Sequence, residues 1–178
     1  DLIHFNIPGS GVKTISPTSA LPTITDPVTI DGYTQPGASP NTLAQGNNAV
    51  LLIELSGASA GDVSGLVIAA ANSTVKGLVI NRFSGPTTPW GIFITGNSNV
   101  VVGNYIGTNV TGTAALANFH GIGVGGSGNL VGGTSPGARN IISGNSGIGV
   151  AADGANFIQG NYIGTDVTGT AALGNRNF

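Results

Sequence analysis

Residues 103–118 read GNYIGTNVTGTAALAN, and residues 160–175 read GNYIGTDVTGTAALGN. The offset is 57 residues, and two positions differ: Asn109 against Asp166, and Ala117 against Gly174. A copy this close in a chain of 178 residues marks a stacked array, in which each unit covers its neighbour.

A finer period runs inside the long one. Short apolar signatures recur at Gly65-Leu66-Val67-Ile68, Gly91-Ile92-Phe93-Ile94, Gly121-Ile122-Gly123-Val124 and Gly147-Ile148-Gly149-Val150, spaced 26, 30 and 26 residues apart. Each is followed by a polar turn with an Asn, then by a second strand: Thr74-Val75, Val100-Val101-Val102, Leu130-Val131 and Phe157-Ile158. A third begins at Leu78-Val79-Ile80, Asn104-Tyr105-Ile106, Asn140-Ile141-Ile142 and Asn161-Tyr162-Ile163. Three short strands per turn predict a coil around a narrow apolar axis, with alternate side chains pointing inward. Gly and Asn suit the corners because they tolerate left-handed backbone. One coil cannot bury its own faces, but stacked coils can. No sustained helical stripe of apolar residues appears. The expected fold is therefore all-β, a right-handed parallel β-helix of about six to seven coils in a single domain over 1–178. The regular part covers 65–178. The first 64 residues are less regular, with strands at 2–7, 21–25, 28–32 and 50–55 and an ordered excursion at 33–48.

Inserts break the pattern at two corners. Gly107–Ala117 and Gly164–Gly174 follow third strands two coils apart, which predicts that the two loops pack on one another. Gly132–Arg139 follows a second strand. Three Asn columns should form ladders of stacked amides: Asn72, Asn99, Asn129 and Asn156; Asn104, Asn140 and Asn161; Asn118, Asn145 and Asn175.

Composition narrows the function classes. The chain is 40% apolar and only 7% charged, has a net charge of −2, and contains 31 Gly and no Cys. Its five cations, Lys13, Lys76, Arg82, Arg139 and Arg176, are scattered singly, which excludes a basic nucleic-acid footprint. No apolar run reaches membrane-spanning length, so no membrane insertion is expected. Without Cys there are no disulfides or thiolate metal sites. Thr, Asn and Gly richness with few Lys suits a secreted or cell-surface bacterial protein. The absence of an initiator Met and the strand-like ends, the last at Phe178, suggest a piece of a longer chain.

The recurring G-I-x-[IV] … N-x-V … G-N-x-I-G pattern, with Val28-Thr29-Ile30-Asp31-Gly32, resembles the right-handed parallel β-helix, pectate-lyase-like superfamily, and in particular secreted bacterial β-helix repeat proteins. The resemblance covers 65–178 well. It implies the fold, but many functions, because this fold carries lyases, hydrolases, adhesins and passive stalks. Lyases of this kind use calcium-binding acidic clusters with an Arg or Lys base, and hydrolases use clustered Asp near Gly-His-Gly and Arg-Ile-Lys. Here Phe119 stands where the first Gly before His120 would be, and there is no Arg-Ile-Lys. No catalytic residue carries over.

Asp31 and Glu54 form the best carboxylate pair. At 23 residues apart, about one coil, they are expected to point outward on adjacent rungs, where they would shift one another's pKa or hold a cation. Together with Arg82 they are the candidate catalytic residues of an enzymatic alternative, and they are the candidate ligands for calcium. No other cofactor is expected. Asp166 has Asn109 as its twin and His120 has Asn177, so neither reads as a reacting group. Asp153-Gly154 is a turn. Thr108, Thr111 and Thr113 repeat as Thr165, Thr168 and Thr170, a Thr array of the sort that ice-binding surfaces carry, but they lie in loops and suit turn bonds. Trp90 and Arg82 are the candidate lining of a sugar platform. The leading expectation is a non-enzymatic structural or adhesive module that self-associates through open coil ends into a filament. The alternatives are a carbohydrate-active enzyme or scaffold acting on polysaccharide, and an ice binder.

Overall fold

Glycine, asparagine and serine corners cut the chain into strands of two to five residues, each too short to stand alone. The computed structural model describes residues 1–176. It stacks these strands, all in parallel, into a solenoid of six coils with three sheets. Sheet A contains β1 (Leu2–His4), β3 (Thr29–Asp31), β6 (Thr74–Lys76), β9 (Val100–Val102), β12 (Leu130–Gly132) and β15 (Phe157–Gln159). Sheet B contains β2 (Lys13–Ile15), β4 (Ile53–Ser56), β7 (Leu78–Asn81), β10 (Tyr105–Ile106), β13 (Ile141–Ile142) and β16 (Tyr162–Ile163). Sheet C contains β5 (Leu66–Ile68), β8 (Trp90–Ile94), β11 (His120–Val124) and β14 (Val150–Ala152), with Ile24 bridging to Ile68 above it.

Like residues stack on like. In sheet A the inward column runs Ile3, Ile30, Val75, Val101, Val131, Ile158. In sheet B it runs Ile15, Leu55, Ile80, Ile106, Ile142, Ile163. The middle members are fully buried in one core. A second, smaller cluster lies outside sheet B, where Leu51, Val79, Tyr105 and Ile141 are covered by Tyr33, Ala49, Val110 and Val167. Val110 and Val167 come from the inserts at 107–117 and 164–174, and the rest of the cover is the excursion after β3. It crosses the outer face of sheet B from the second coil to the sixth, roughly 19 Å at the ~4.8 Å spacing of stacked strands.

The regular strands and inserts fall where the repeats put them, with one register change. Ile92 and Ile122 stack, but the next residue in that column is Val150, and Ile148 lies two positions earlier. Gly149, not Gly147, continues the glycine column of Gly65, Gly91 and Gly121, where a Cβ on each would meet the carbonyl oxygen of the next, while Gly147 sits at the corner, where a Cβ would come within 2.6 Å of the His120 ring. In the first 64 residues β2 arises where no strand was expected, and the 21–25 strand reduces to the single bridge of Ile24. Residues 107–117 and 164–174 fold alike, closed by Thr108–Ala115 and Thr165–Ala172 bridges, and they touch. Val167 N–H donates to Gly112 O at 3.1 Å. Position 112 must be Gly, since its φ is +64° and a Cβ would meet Val167 Cγ1.

Candidate functional site

Each corner of the solenoid carries one polar column, and the columns join consecutive coils. Between sheets A and B, Leu78 N–H donates to Asn104 Oδ1, Asn104 N–H to Asn140 Oδ1 and Asn140 N–H to Asn161 Oδ1, at 2.9–3.3 Å. The amide nitrogens return bonds to Val75 O, Val101 O and Val131 O. Between sheets B and C the same work falls to Asn118, Asn145 and Asn175. Between sheets C and A the column is Ser73, Asn99, Asn129 and Asn156. Asn72 is not in it. It turns the chain at φ +58°, and Ser73, one residue later, takes the ladder position, its Oγ accepting Val28 N–H at 3.2 Å. The shorter hydroxyl accepts from the coil above just as the amides do.

The carboxylates predicted to pair are on the same coil but in different sheets, so they do not stack. Asp31 aligns with His4 and Lys76 in sheet A, and Glu54 with Thr14 and Val79 in sheet B. The pairing fails because the chain between them leaves for its excursion and returns within the same coil. Asp31 accepts Tyr33 N–H at 3.0 Å and faces Lys76 Nζ at 2.9 Å. Among the described residues no group of three or more His, Cys, Asp or Glu comes together as a cation site.

Glu54 and Arg82, by contrast, do meet. Arg82 follows β7 in left-handed backbone, φ +61°, and its Nη1 lies 3.3 Å from Glu54 Oε1. Asn81 Nδ2 donates to the same oxygen at 2.8 Å, and Thr14 Oγ1 donates to Oε2 at 2.7 Å. Burial alone would raise the Glu54 pKa. The Asn81 and Thr14 hydrogen bonds and the Arg82 cation outweigh it and hold the carboxyl below its ordinary value. A carboxylate with both oxygens occupied and its proton affinity lowered is a poor general base. What it does is join β2, β4 and β7 across three coils.

Trp90 and Arg82 do not share a platform. Arg82 turns to sheet B, while Trp90 opens β8 on sheet C and packs against His120 at 4.4 Å and Phe93 at 6.1 Å between ring centroids. His120 Nδ1 accepts Ile148 N–H at 2.9 Å, and burial lowers its pKa. The acceptor nitrogen must be unprotonated, so the ring is a neutral corner staple. Its twin Asn177 and Phe178 lie outside the described residues. The Asn109/Asp166 pair is equally informative. Both side chains act as loop acceptors but on different partners: Asn109 Oδ1 accepts Thr113 N–H, and Asp166 Oδ1 accepts Thr168 N–H, the twin of Thr111, both at 3.0 Å. The Thr hydroxyls pair within their loops, Thr111 with Thr113 and Thr168 with Thr170.

Sequence reasoning missed the anchor of the excursion. Arg139 donates to Gly46 O at 2.6 Å and Ala44 O at 2.9 Å, and its guanidinium lies 4.4 Å over the Tyr162 ring. Tyr162 Oη accepts Gly46 N–H at 2.9 Å, and Tyr105 donates to Asn47 Oδ1 at 3.0 Å, its pKa pushed up to about 12 by burial. An isolated Arg in a Gly/Pro-rich insert gives no periodic signal, and its partners in the excursion are over 90 residues away.

Compared with protein-family models, curated proteins and solved structures, the chain matches none. Among the described residues no helix is long and apolar enough to cross a membrane.

Proposed function

We propose that this chain is a non-catalytic structural or adhesive rod of the pectate-lyase-like β-helix kind, set outside the cell. One observation carries the reading. The side chains best suited to chemistry are engaged in tying coil to coil. Glu54 links three coils, His120 links β11 to the strand entering β14, Asp31 bonds Lys76 of the next coil, and Arg139 fastens the excursion. A group held by several fixed bonds is not free to move a proton or accept a substrate. The same bonds make a stiff object, because every corner column must break before neighbouring coils part. The lysine-poor, Thr- and Asn-rich composition supports the extracellular setting.

The test is an assay against neutral and acidic polysaccharides with and without calcium, run on the wild type and on Glu54→Gln. No turnover in either is the expected result. Turnover by the wild type that Glu54→Gln abolishes would overturn the proposal in favour of an enzyme built on Glu54 and Arg82.

A further inference from the structure

The chain holds two Asp-Gly pairs, Asp31-Gly32 and Asp153-Gly154, and no Asn-Gly. An aspartyl side chain followed by glycine can close on its own main chain. The next amide nitrogen reaches Cγ through a five-membered ring, and glycine has no Cβ to obstruct the approach. Closure needs a carboxyl without fixed partners, a free amide, and a backbone open enough to bend.

The two pairs differ in all three respects. Asp31 Oδ1 accepts Tyr33 N–H at 3.0 Å, and Oδ2 lies 2.9 Å from Lys76 Nζ. Gly32 is buried, with Gly77 O only 2.1 Å from where a Cβ would stand. Asp153 and Gly154 are both exposed, at the tip of the turn from β14 to β15. Among the described residues the Asp153 carboxylate has no hydrogen bond or ion pair, and Gly154 N–H has no acceptor. The same corner is open one and two coils earlier, where Gly126, Ser127, Asn97 and Ser98 are exposed as well, so the access belongs to the corner itself.

We propose that Asp153-Gly154 is a self-modification site, at which the chain slowly converts to an isoaspartyl linkage. The Gly154 nitrogen attacks Asp153 Cγ. The new C–N bond replaces the C–OH bond of the neutral acid, and that hydroxyl leaves with the amide proton as water. The succinimide then takes one water back. Addition at Cγ restores aspartate. Addition at the former main-chain carbonyl breaks its bond to the Gly154 nitrogen, frees an α-carboxylate and sends the main chain through Cβ and Cγ. Nothing is oxidised or reduced, and the mass of the chain is unchanged.

The position sets the consequence. Asp153 N–H donates to Val124 O at 2.9 Å, and Asn156 Oδ1 accepts Asn129 N–H at 2.9 Å. The isoaspartyl link adds one methylene to the main chain between these two anchors, on a turn of fixed span, so Asn156 is pulled out of the ladder that joins its coil to the one before. One corner loosens, and the columns at the other two corners are left alone. The inference goes beyond the rod reading and does not depend on it.

The experiment ages the full chain for several weeks at body temperature and neutral pH, folded and in urea. Its peptides are then mapped after labelling by an isoaspartate-specific methyltransferase. In the folded chain the label should gather at Asp153 and be absent from Asp31, while in urea both pairs should take it up alike. A folded chain without label at Asp153, or with equal label at Asp31, overturns the proposal. Asp153→Glu gives a second reading, since glutamate would have to close a six-membered ring, and it should take no label at that position. In the isomerised fraction of the wild type the Asn129 amide should exchange roughly tenfold faster than in fresh protein, as for the local loss of one ladder bond, while aged Asp153→Glu keeps the fresh rate. An Asn129 amide that keeps its protection in the labelled fraction overturns the loosening of the corner. None of these results bears on the polysaccharide assay, so the two proposals fail separately.

Discussion

Replacing Asn129 by Ala removes the centre of one corner ladder. Asn129 is fully buried. Its Oδ1 accepts Asn99 N–H at 2.8 Å, and its Nδ2 donates to Gly125 O, Gly96 O and Asn156 Oδ1 at 2.9–3.1 Å. The alanine methyl group replaces none of these bonds. One amide and two carbonyls lose their partner at a corner that water reaches poorly. At about 1–3 kcal/mol for each buried group left unsatisfied, and less for carbonyls that retain a weak contact, the loss is about 3–5 kcal/mol. Against a typical total of ~5–15 kcal/mol this is a large fraction of the stability. The control is Asn156→Ala at the end of the same column, where Asn156 is half-exposed and water can substitute, with an expected loss of about 1 kcal/mol. Urea denaturation reads the difference, and amide exchange localises it. The Asn99 amide should exchange about a hundredfold faster in Asn129→Ala for a local loss near 3 kcal/mol. If the two variants cost the same, or the Asn99 amide keeps its protection, then the ladders do not hold the coils and the argument for a stiff rod fails with them.

Three further outcomes follow from the same contacts. Glu54 has its pKa lowered in the folded chain, so its contribution is complete above the ordinary carboxyl range and is lost as pH falls through the folded value; Glu54→Gln should flatten the acid limb of a stability-against-pH curve. His120 also has its pKa lowered, so the folded state favours the neutral ring; stability should be complete above the ordinary imidazole value and fall as pH drops through the folded one, and His120→Gln should remove that slope in thermal melts between about pH 7 and 5. Arg139→Ala removes the bonds to Gly46 O and Ala44 O and the contact with Tyr162; limited proteolysis should then cut within residues 42–47 while the solenoid core stays intact, and cleavage at the wild-type rate would refute the anchor.

How much the sequence disclosed depends on whether the physics was periodic. Inward columns, corner Asn residues and twin loops recur at fixed spacing, so Val131, Asn140 and Val167 could be placed before any coordinates. Departures occur where one local contact overrides the repeat. At β14 the glycine column passes through Gly149 and not Gly147, which sits against the His120 ring, so Val150 and not Ile148 stacks on Ile122, though the motif around it reads as an in-register copy. Ser73 displaces Asn72 because the ladder asks for an acceptor at a set depth, not for a particular side chain. Asp31 and Glu54 are one coil apart by residue count and within one coil in space, since an excursion lengthens the chain without advancing the helix. The Glu54–Arg82 contact joins residues 28 apart, about a coil, but which of several outward residues it would meet depends on the turn that Arg82 makes at positive φ.

The excursion and the three ladders resist different deformations. Each ladder bond spans one coil step, so the columns oppose the opening of any single gap between neighbours. A rod held only in this way could still bend, with small strains spread along its length. The excursion is rooted at the second coil and fastened by Arg139 and Tyr162 to the fifth and sixth, so bending away from sheet B must stretch it or break three bonds at Gly46 and Ala44 together. With Val110 and Val167 of the two inserts it also covers Val79, Tyr105 and Ile141, apolar residues that sheet B turns outward.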